Sequence, residues 1–324
     1  MNVLITSASR KVGLVRAFQE ALARTGGGKV VAVDSSPLSP ALLVADERAI
    51  VARGDAAEFL PAIRRLCLRH EVGLLVPTRD EELPIFAADK EALAAQGTVA
   101  LVSSPDAVRI CQDKREFVEF CAREGFATPR TWAVGQRPDA DAYPVFAKPR
   151  HGKGGGGAGL VTTPEELEFL LARHPDALVQ ERVTAPELTL DLFADLSGRV
   201  VSVVPRYRTR VFGGESFVSR TVKSERLMEE AASIARALDL VGHNTIQCFF
   251  DGVSCKHIEI NPRFGGAANL GFAAGALTPE FAIRAALGQP LASRIGEFTD
   301  DLVMLRYTED RFVAGSALDA IGAS

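Results

Sequence analysis

Short apolar runs separated by stretches of helical period dominate the first hundred residues. Val3–Thr6, Val30–Val33, Gly73–Pro77 and Val99–Val102 are aliphatic and too short for helices, so they read as buried strands. Between them, Val12–Arg24, Leu60–His70 and Glu82–Gln96 repeat their apolar residues at helical spacing. Strands alternating with helices predict a parallel, doubly wound sheet. Gly26-Gly27-Gly28 marks the turn after the first helix, and Asp34 ends the second strand. A dinucleotide domain would carry Gly-x-Gly-x-x-Gly at the first turn, but Thr6-Ser7-Ala8-Ser9-Arg10-Lys11 contains no glycine. A Rossmann dehydrogenase is therefore disfavoured.

The pattern changes beyond residue 105. Ser104-Pro105-Asp106 caps one helix, and Asp113–Glu124 forms a second that stops at Gly125. Extended structure begins at Pro129, with strands at Val145–Lys148, Gly159–Thr162 and Ala177–Val183 and a helix at Pro164–Arg173. Longer strands follow at Glu187–Asp195 and Val200–Arg210, joined through Ser197-Gly198. A helix at Ser224–Leu238, a hairpin, a helix at Leu277–Leu287 and a strand at Leu302–Tyr307 complete the chain. The small, polar tail from 314 to 324 is expected to fray. The expected units are an α/β domain over 1–105, a small lobe with a glycine loop over 106–183, and a large lobe over 184–324. The fold class is α/β: an N-terminal doubly wound parallel sheet followed by a two-lobed α+β domain.

Composition narrows the class. The chain has 324 residues, 47% hydrophobic and 24% charged, a usual globular mix too long for one ordinary core. Net charge −4 and pI 5.8 leave no broad basic face, which argues against a nucleic-acid partner. No apolar run reaches 18 residues, and the N-terminus enters a strand without a basic and apolar leader. No membrane partner is expected, and the cytoplasm is the expected compartment. Cys67, Cys111, Cys121, Cys248 and Cys255 show no Cys-x-x-Cys spacing; Cys248 and Cys255 approach each other across the hairpin but read as free thiols.

The richest stretch is Gln247 to Arg263, reading Gln-Cys-Phe-Phe-Asp-Gly-Val-Ser-Cys-Lys-His-Ile-Glu-Ile-Asn-Pro-Arg. Gln247, Glu259 and Asn261 are hard oxygen donors of the kind Mg²⁺ prefers, and protein-bound Mg²⁺ usually has phosphate alongside. Asp251-Gly252 is a hairpin signal, and Glu259 and Asn261 share a strand face. A two-residue turn at Asp251-Gly252 would send Gln247 to the other face. A three-residue loop, Phe250-Asp251-Gly252 with a G1 bulge, would bring all three donors together. An edge hairpin with a merely solvated polar face is the bland alternative, and Gly265-Gly266 just beyond the strand weighs against it.

His151 to Gly159 holds six glycines in nine residues. Such a loop lets backbone N–H groups wrap phosphates, with Lys153 adding charge; otherwise it is a plain flexible hairpin loop. It is no Walker A loop, because no Gly-Lys-[Ser/Thr] opens a helix. Lys148 closes an apolar strand three residues earlier and needs an anionic partner unless it snorkels to the surface. Gln180-Glu181-Arg182-Val183 ends another strand, where exposed backbone can pair with an adenine edge and Glu187 can take ribose hydroxyls.

In this order the features resemble the ATP-grasp superfamily, most closely the branch of the carbamoyl-phosphate synthase large subunit, over nearly the whole chain. The opening Leu-Ile-Thr-Ser-Ala-Ser-Arg-Lys-Val-Gly and the Val-Pro-Thr-Arg-Asp-Glu-Glu-Leu segment are similar to its pre-ATP-grasp domain. The resemblance implies ATP contacts by Lys114 and Lys148, and a mobile lid at 151–159 with Lys153, Gly154, Gly155 and Gly156. It further implies an adenine hinge at Gln180, Glu181 and Val183 and a ribose carboxylate at Glu187. Gln247, Glu259 and Asn261 become magnesium ligands, and Arg263 the arginine that stabilises phosphate and intermediate. The twelve-residue spacing of the first two ligands favours the three-residue loop. Asn-x-x-Gln (Asn244 to Gln247) with Glu-Ile-Asn-Pro-Arg is the specific part of the match.

Two departures count. The first ligand is Gln247 where many relatives have glutamate, and the chain carries one ATP-grasp unit, so a complete carbamoyl-phosphate synthase reaction is not expected. The implied cofactors are ATP and Mg²⁺, two ions per nucleotide, with Mn²⁺ able to substitute. The implied activity is an ADP-forming carboxylate–amine ligase acting through an acyl phosphate on an amino acid or small carboxylic acid. The expected partners are a small-molecule carboxylate and amine, and a second subunit in a homodimer. Arg206, Arg208 and Arg210 alternate along one strand, with Arg220 and Lys223 beyond, as a cationic wall or a solvated face. Gly265 and Gly266 are candidate oxyanion donors, and Glu81 beside Asp80 and Glu82 a candidate for a substrate ammonium or for helix capping. A bicarbonate-activating enzyme and a non-catalytic nucleotide-binding regulator are the competing classes.

Overall fold

The computed structural model describes residues 1–152, 156–316 and 318. Its first sheet contains β1 (Asn2–Ile5), β2 (Val30–Asp34), β3 (Glu47–Ile50), β4 (Val72–Val76) and β5 (Val99–Ala100), all parallel, in the order β3-β2-β1-β4-β5. The helices are α1 (Val12–Arg24), α2 (Phe59–Arg69), α3 (Leu83–Ala88) and α4 (Lys90–Ala95). Parallel strands are buried on both faces, which is why β1 and β2 read as continuous apolar runs. Val3, Ile5, Val30 and Ala32 pack with Phe18 and Leu22 of α1, while Leu4, Val31 and Val33 pack with Phe59 and Ile63 of α2.

Two features depart from the sequence pattern. The edge strand β3 reads Glu-Arg-Ala-Ile, too short and too charged to register as a strand. The single helix expected over Glu82–Gln96 breaks at Asp89, which ends α3, precedes α4 and receives the Arg64 guanidinium of α2. Satisfying that buried carboxylate outweighs helix continuity.

The second sheet follows α5 (Pro105–Gln112) and α6 (Lys114–Glu124). It joins β6 (Thr131–Trp132), β7 (Val145–Lys148), β8 (Gly159–Val161) and β9 (Leu178–Glu181) in the order β6-β9-β7-β8, antiparallel, with α7 (Pro164–Arg173) against it. Trp132, Val145, Ala147, Val161, Leu167 and Val179 form its core.

The third sheet is antiparallel: β10 (Glu187–Ala194), β11 (Val200–Phe212), β12 (Glu215–Thr221), β13 (Gly242–Phe250), β14 (Cys255–Asn261) and β15 (Val303–Leu305), in the order β14-β13-β10-β11-β12-β15. Strand β12 was not expected. Leu188, Leu190, Leu192, Val203, Ile246 and Cys248 face the core under α8 (Glu225–Ala237). Thr189, Asp191, Arg206, Thr245, Gln247 and Glu259 alternate with them on the other face. All five cysteines are free and buried.

The chain then returns through α9 (Ala268–Ala273) and α10 (Thr278–Ala286), and Phe281, Ala282 and Ile283 join the α1 core of the first sheet. The segment from 278 to 286 thus completes the N-terminal core although it lies at the far end of the chain. The tail expected to fray falls largely outside the described residues. Among the described residues no helix is long and apolar enough to cross a membrane.

The first and third sheets meet where Val241 N donates to Ser103 Oγ at 2.9 Å. Beside it Gly242 has φ +74, and a Cβ there would lie 2.7 Å from Leu101 Cγ. Gly242→Ala therefore meets both backbone strain and overpacking at this junction, and should lower stability by about 1–3 kcal/mol. The urea midpoint should fall at constant m-value; an unchanged midpoint would show that the junction yields freely.

Candidate active site

The hairpin β13–β14 matches neither expected loop. Phe250 pairs with Cys255, so the loop has four residues, Asp251 to Ser254, closed by the Asp251 carboxylate accepting from the Val253 and Ser254 amides at 2.8 and 2.7 Å. A four-residue loop alone would put Gln247 out of phase with Glu259. The register shifts between Gln247 and Cys248, leaving Ile258 as an extra residue in β14. This bulge restores the phase: Gln247 pairs with Glu259, and Asn261 pairs with Thr245. Gln247 Nε2 and Asn261 Nδ2 donate to Glu259 Oε1 at 3.0 and 3.1 Å. The sheet brings the three expected donors together on one wall of a cavity of about 900 Å³.

Cations enter from other elements. Lys148, at the end of β7, is buried, and its Nζ lies 3.4 Å from the Ile258 carbonyl. Burial lowers its pKa from 10.5 to about 8, partly opposed by the Glu259 charge. Lys114 opens α6 beneath the Asp113 cap and donates to the Gly152 carbonyl at 2.8 Å. Gly152 and Gly156 line the cavity, while Lys153, Gly154 and Gly155 lie outside the described residues. Gln180 is buried with its amide on Thr131 Oγ1 at 2.8 Å, in a strand paired with β6 on one side and β7 on the other. Glu181 pairs with Lys256, and Val183 lines the same rim. Glu187 pairs with Arg208 at 2.7 Å, and burial raises its pKa.

Arg263 makes a two-pronged bond to Asp80, Nε to Oδ1 at 2.7 Å and Nη2 to Oδ2 at 2.6 Å, and also donates to Asn261 Oδ1 at 3.1 Å. Asp80 comes from the turn after β4, so this pair ties the first sheet to the third. Gly265 and Gly266 follow along the cavity wall. A Cβ on Gly265 would lie 2.6 Å from Thr245 Oγ1, which is why that position is glycine.

Sequence reasoning missed the cavity's N-terminal pole, formed by Ser7, Ser9, Lys11, Asp34, Thr78 and Arg79. Its one signal was the polar turn after β1. Ser7 and Ser9 have φ of 45 and 46, outside the usual range for residues with a side chain. Thr6 Oγ1 and Ser7 Oγ donate to buried Glu82, Ser9 N donates to Asp34 at 2.8 Å, and Lys11 Nζ donates to Ser7 O at 2.9 Å. Burial also lowers the Lys11 pKa to about 8, with Arg263 adding to the effect.

Several candidates take other places. Arg206 is fully buried against Asp191 at 2.7 Å, with its Nη1 donating to both Ser216 and Ser219 Oγ, so it braces the wall. A register shift after Arg208 turns Arg210 out of line. Arg220 pairs across the strands with Tyr207, hence on the opposite face, and holds Asp301. Lys223 lies beyond β12 over the Phe298 ring. Glu81 is exposed beside Arg79, away from the cavity lining. The cationic wall shrinks to Arg206 and Arg208, each matched by a carboxylate.

Residues 3–101 match the family described as PylC-like, N-terminal domain, and residues 173–309 the family described as ATP-grasp in the biosynthetic pathway with Ter operon. The carbamoyl phosphate synthase large chain of Myxococcus xanthus is 26% identical over 193 residues, 53% of this chain and 18% of that protein. That of Methanosarcina acetivorans is 25% identical over 250 residues, 69% and 23% respectively. The chain thus spans about a fifth of the length of these curated relatives. The N5-carboxyaminoimidazole ribonucleotide synthetase from Thermotoga maritima superposes with TM-score 0.63 at 24% identity, over 90% of this chain and 77% of that one. The biotin carboxylase–β,γ-ATP complex from Campylobacter jejuni gives 0.73 at 20% identity, over 90% and 72%. These structural likenesses establish the fold.

The lowered lysine pKa values carry a stability signature. Between about 8 and 10.5 the unfolded chain holds protons that folded Lys148 and Lys11 have released, so stability rises with pH in that window. Below about pH 8 the cost of burying two charged amines stands in full. Lys148→Met should flatten the rise of the urea midpoint between about pH 8 and 10. An identical slope in both proteins would show that Lys148 is not held near 8.

Proposed function

The chain being an ATP-grasp protein of the carbamoyl-phosphate-synthase-like branch, we propose that it is an ADP-forming carboxylate–amine ligase. The observation that carries this reading is the convergence of Gln247, Glu259 and Asn261 with buried Lys148 in one cavity that Gly152 and Gly156 also line. Lys148 and Lys114 hold the ATP phosphates, and the loop around Lys153, Gly154, Gly155 and Gly156 closes over them. The backbone of Gln180 to Val183 receives the adenine edge, and Glu187 takes the ribose hydroxyls once released from Arg208.

The donor set suits a hard cation, because all three groups offer oxygen once the two amides rotate. Gln247, Glu259 and Asn261 would hold Mg²⁺, two ions per ATP, which supplies neutralisation of the phosphate charge. With one carboxylate and two amides the site carries a single negative charge, so much of the attraction for the ions comes from the nucleotide.

The substrate carboxylate oxygen attacks the γ-phosphorus, the bond to the β,γ-bridging oxygen breaks, and ADP leaves with that electron pair. An amine then attacks the acyl phosphate carbonyl, inorganic phosphate departs, and the amine's proton passes to solvent. Arg263, held in place by Asp80, and the Gly265 and Gly266 backbone face the developing oxyanion. The N-terminal pole offers Lys11 and Arg79 for an anionic group and Asp34 for an ammonium, which suits an amino acid. Acyl phosphates hydrolyse, so loop closure also serves to exclude water.

The test incubates the protein with Mg²⁺-ATP, hydroxylamine and pools of amino acids and small carboxylic acids. ADP with a hydroxamate from one pool would support the reading and name the carboxylate. AMP would refute it, and ADP release that depends on bicarbonate alone would replace it with carboxyphosphate formation. Glu259→Gln and Lys148→Ala should each lower turnover by at least ~100-fold, the scale of losing one charge-stabilising group. Near-normal turnover in either variant would remove that residue from the mechanism.

A further inference from the structure

The hairpin that presents Gln247 and Glu259 to the cavity carries a second set of donors on its back. Cys248 follows Gln247 and points to the opposite face, and the register pairs it with His257. His257 and Glu259 are two residues apart on one strand yet face opposite ways, because the bulge at Ile258 lies between them. Cys255, two residues before His257, shares the back face. From α8, which covers that face, Glu230 reaches the same point.

The atoms converge closely. Cys255 Sγ lies 4.0 Å from His257 Nε2, and His257 Nε2 lies 3.9 Å from Glu230 Oε1. All three ligand atoms are within 4.8 Å of one another, and Cys248 lies opposite His257 on the paired strand. Tetrahedral zinc with ordinary bond lengths has S···N and N···O separations of about 3.5 and 3.4 Å, so closure needs shifts of about half an ångström. The His257 ring is wholly buried with Phe126 edge-on, and among the described residues Nδ1 has no hydrogen-bond partner. Its Nε2 is the ring atom aimed at Cys255 and Glu230. Cys248 and Cys255 are buried, while the Glu230 side chain is 29% exposed and provides the way in.

We propose that Cys255, His257 and Glu230 supply three ligands of a tetrahedral site for a thiophilic divalent ion of the zinc type, its fourth position taken by water, separate from the hard-oxygen face of the same hairpin. A thiolate, an imidazole and one carboxylate suit zinc or cobalt and not magnesium. Binding displaces the Cys255 thiol proton to solvent and requires no other reactant. An ion there staples β14 to α8 just ahead of the bulge that sets the Gln247–Glu259 pairing.

The full chain, stripped with chelator under reducing conditions, is titrated with Co²⁺. The expected result is saturation near one ion per chain, with near-ultraviolet thiolate-to-cobalt charge transfer and the strong visible bands of tetrahedral cobalt, both lost on adding zinc. Cys255→Ser and His257→Gln should abolish the charge-transfer band. Glu230→Gln, partly exposed on α8 where folding is least at risk, should change the visible bands and weaken binding at least ~10-fold. Glu259→Gln should leave the spectrum intact, since that residue faces the cavity. Absence of charge transfer in the wild type, its survival unchanged in folded Cys255→Ser and Glu230→Gln, or its loss in folded Glu259→Gln would each overturn the site.

Discussion

Side chains along a strand alternate between faces, so a hairpin with different tasks on its two faces must control its phase residue by residue. In β13–β14 that control is the one extra residue at Ile258. Ahead of it, Cys255 and His257 point into the core with Cys248; beyond it, Glu259 and Asn261 point into the cavity with Gln247. Without the extra residue the four-residue loop would turn Glu259 into an apolar core, where an unpaired carboxylate is costly. The bulge also brings the Ile258 carbonyl towards Lys148, which ends an apolar strand and is itself buried. The hard-donor cluster and the burial of that lysine therefore rest on a single backbone irregularity.

Around this point the cavity is closed by ion pairs whose members come from different elements. Asp80 of the first sheet holds Arg263 of the third, Lys256 of β14 holds Glu181 of β9, and Arg208 of β11 holds Glu187 of β10. Pairs of this kind add little stability, because desolvation offsets much of their attraction. Their value lies in keeping buried or half-buried cations compensated until an anionic ligand takes over. Asp191–Arg206 differs: it is sealed from solvent, and its serine, threonine and histidine neighbours fix it as part of the wall.

Legibility in the sequence followed the range of the interaction. The parallel sheet could be read because β1, β2 and β4 are apolar runs bounded by helical periods. Glu259 and Asn261 could be placed together because period two needs only the strand itself. The Gln247 partnership could be named from the resemblance, but not its cause, because a bulge leaves no composition signal. Arg220 was misplaced for the same reason: its face depends on the pairing Arg220–Tyr207, a fact about the partner strand. Arg206 looked like a free cation because the carboxylate that consumes it lies fifteen residues upstream, on a neighbouring strand. The break at Asp89 depended on Arg64, twenty-five residues away. Each miss concerns a contact that only the folded chain creates.

The N-terminal domain shows what replaces a glycine-rich turn when its place in the fold is kept. A Gly-x-Gly turn reaches unusual backbone angles at no steric cost, whereas Ser7 and Ser9 adopt positive φ against a penalty of order 1–3 kcal/mol each. Such a conformation persists only where neighbours over-determine it. Buried Glu82 accepts from Thr6 and Ser7, Asp34 fixes the Ser9 amide, and Thr78 Oγ1 and Lys11 Nζ both donate to the Ser7 carbonyl. These bonds take up the turn's polar groups, so the loop forms a rigid wall rather than an open phosphate cradle. It lines the cavity with Ser7, Ser9 and Lys11 as Arg263 does from the third sheet, and the Asp80–Arg263 bond ties the two walls together. Any ligand that reaches the hard-donor face is therefore measured on its far side by a surface of fixed shape, built from side chains and not from flexible backbone.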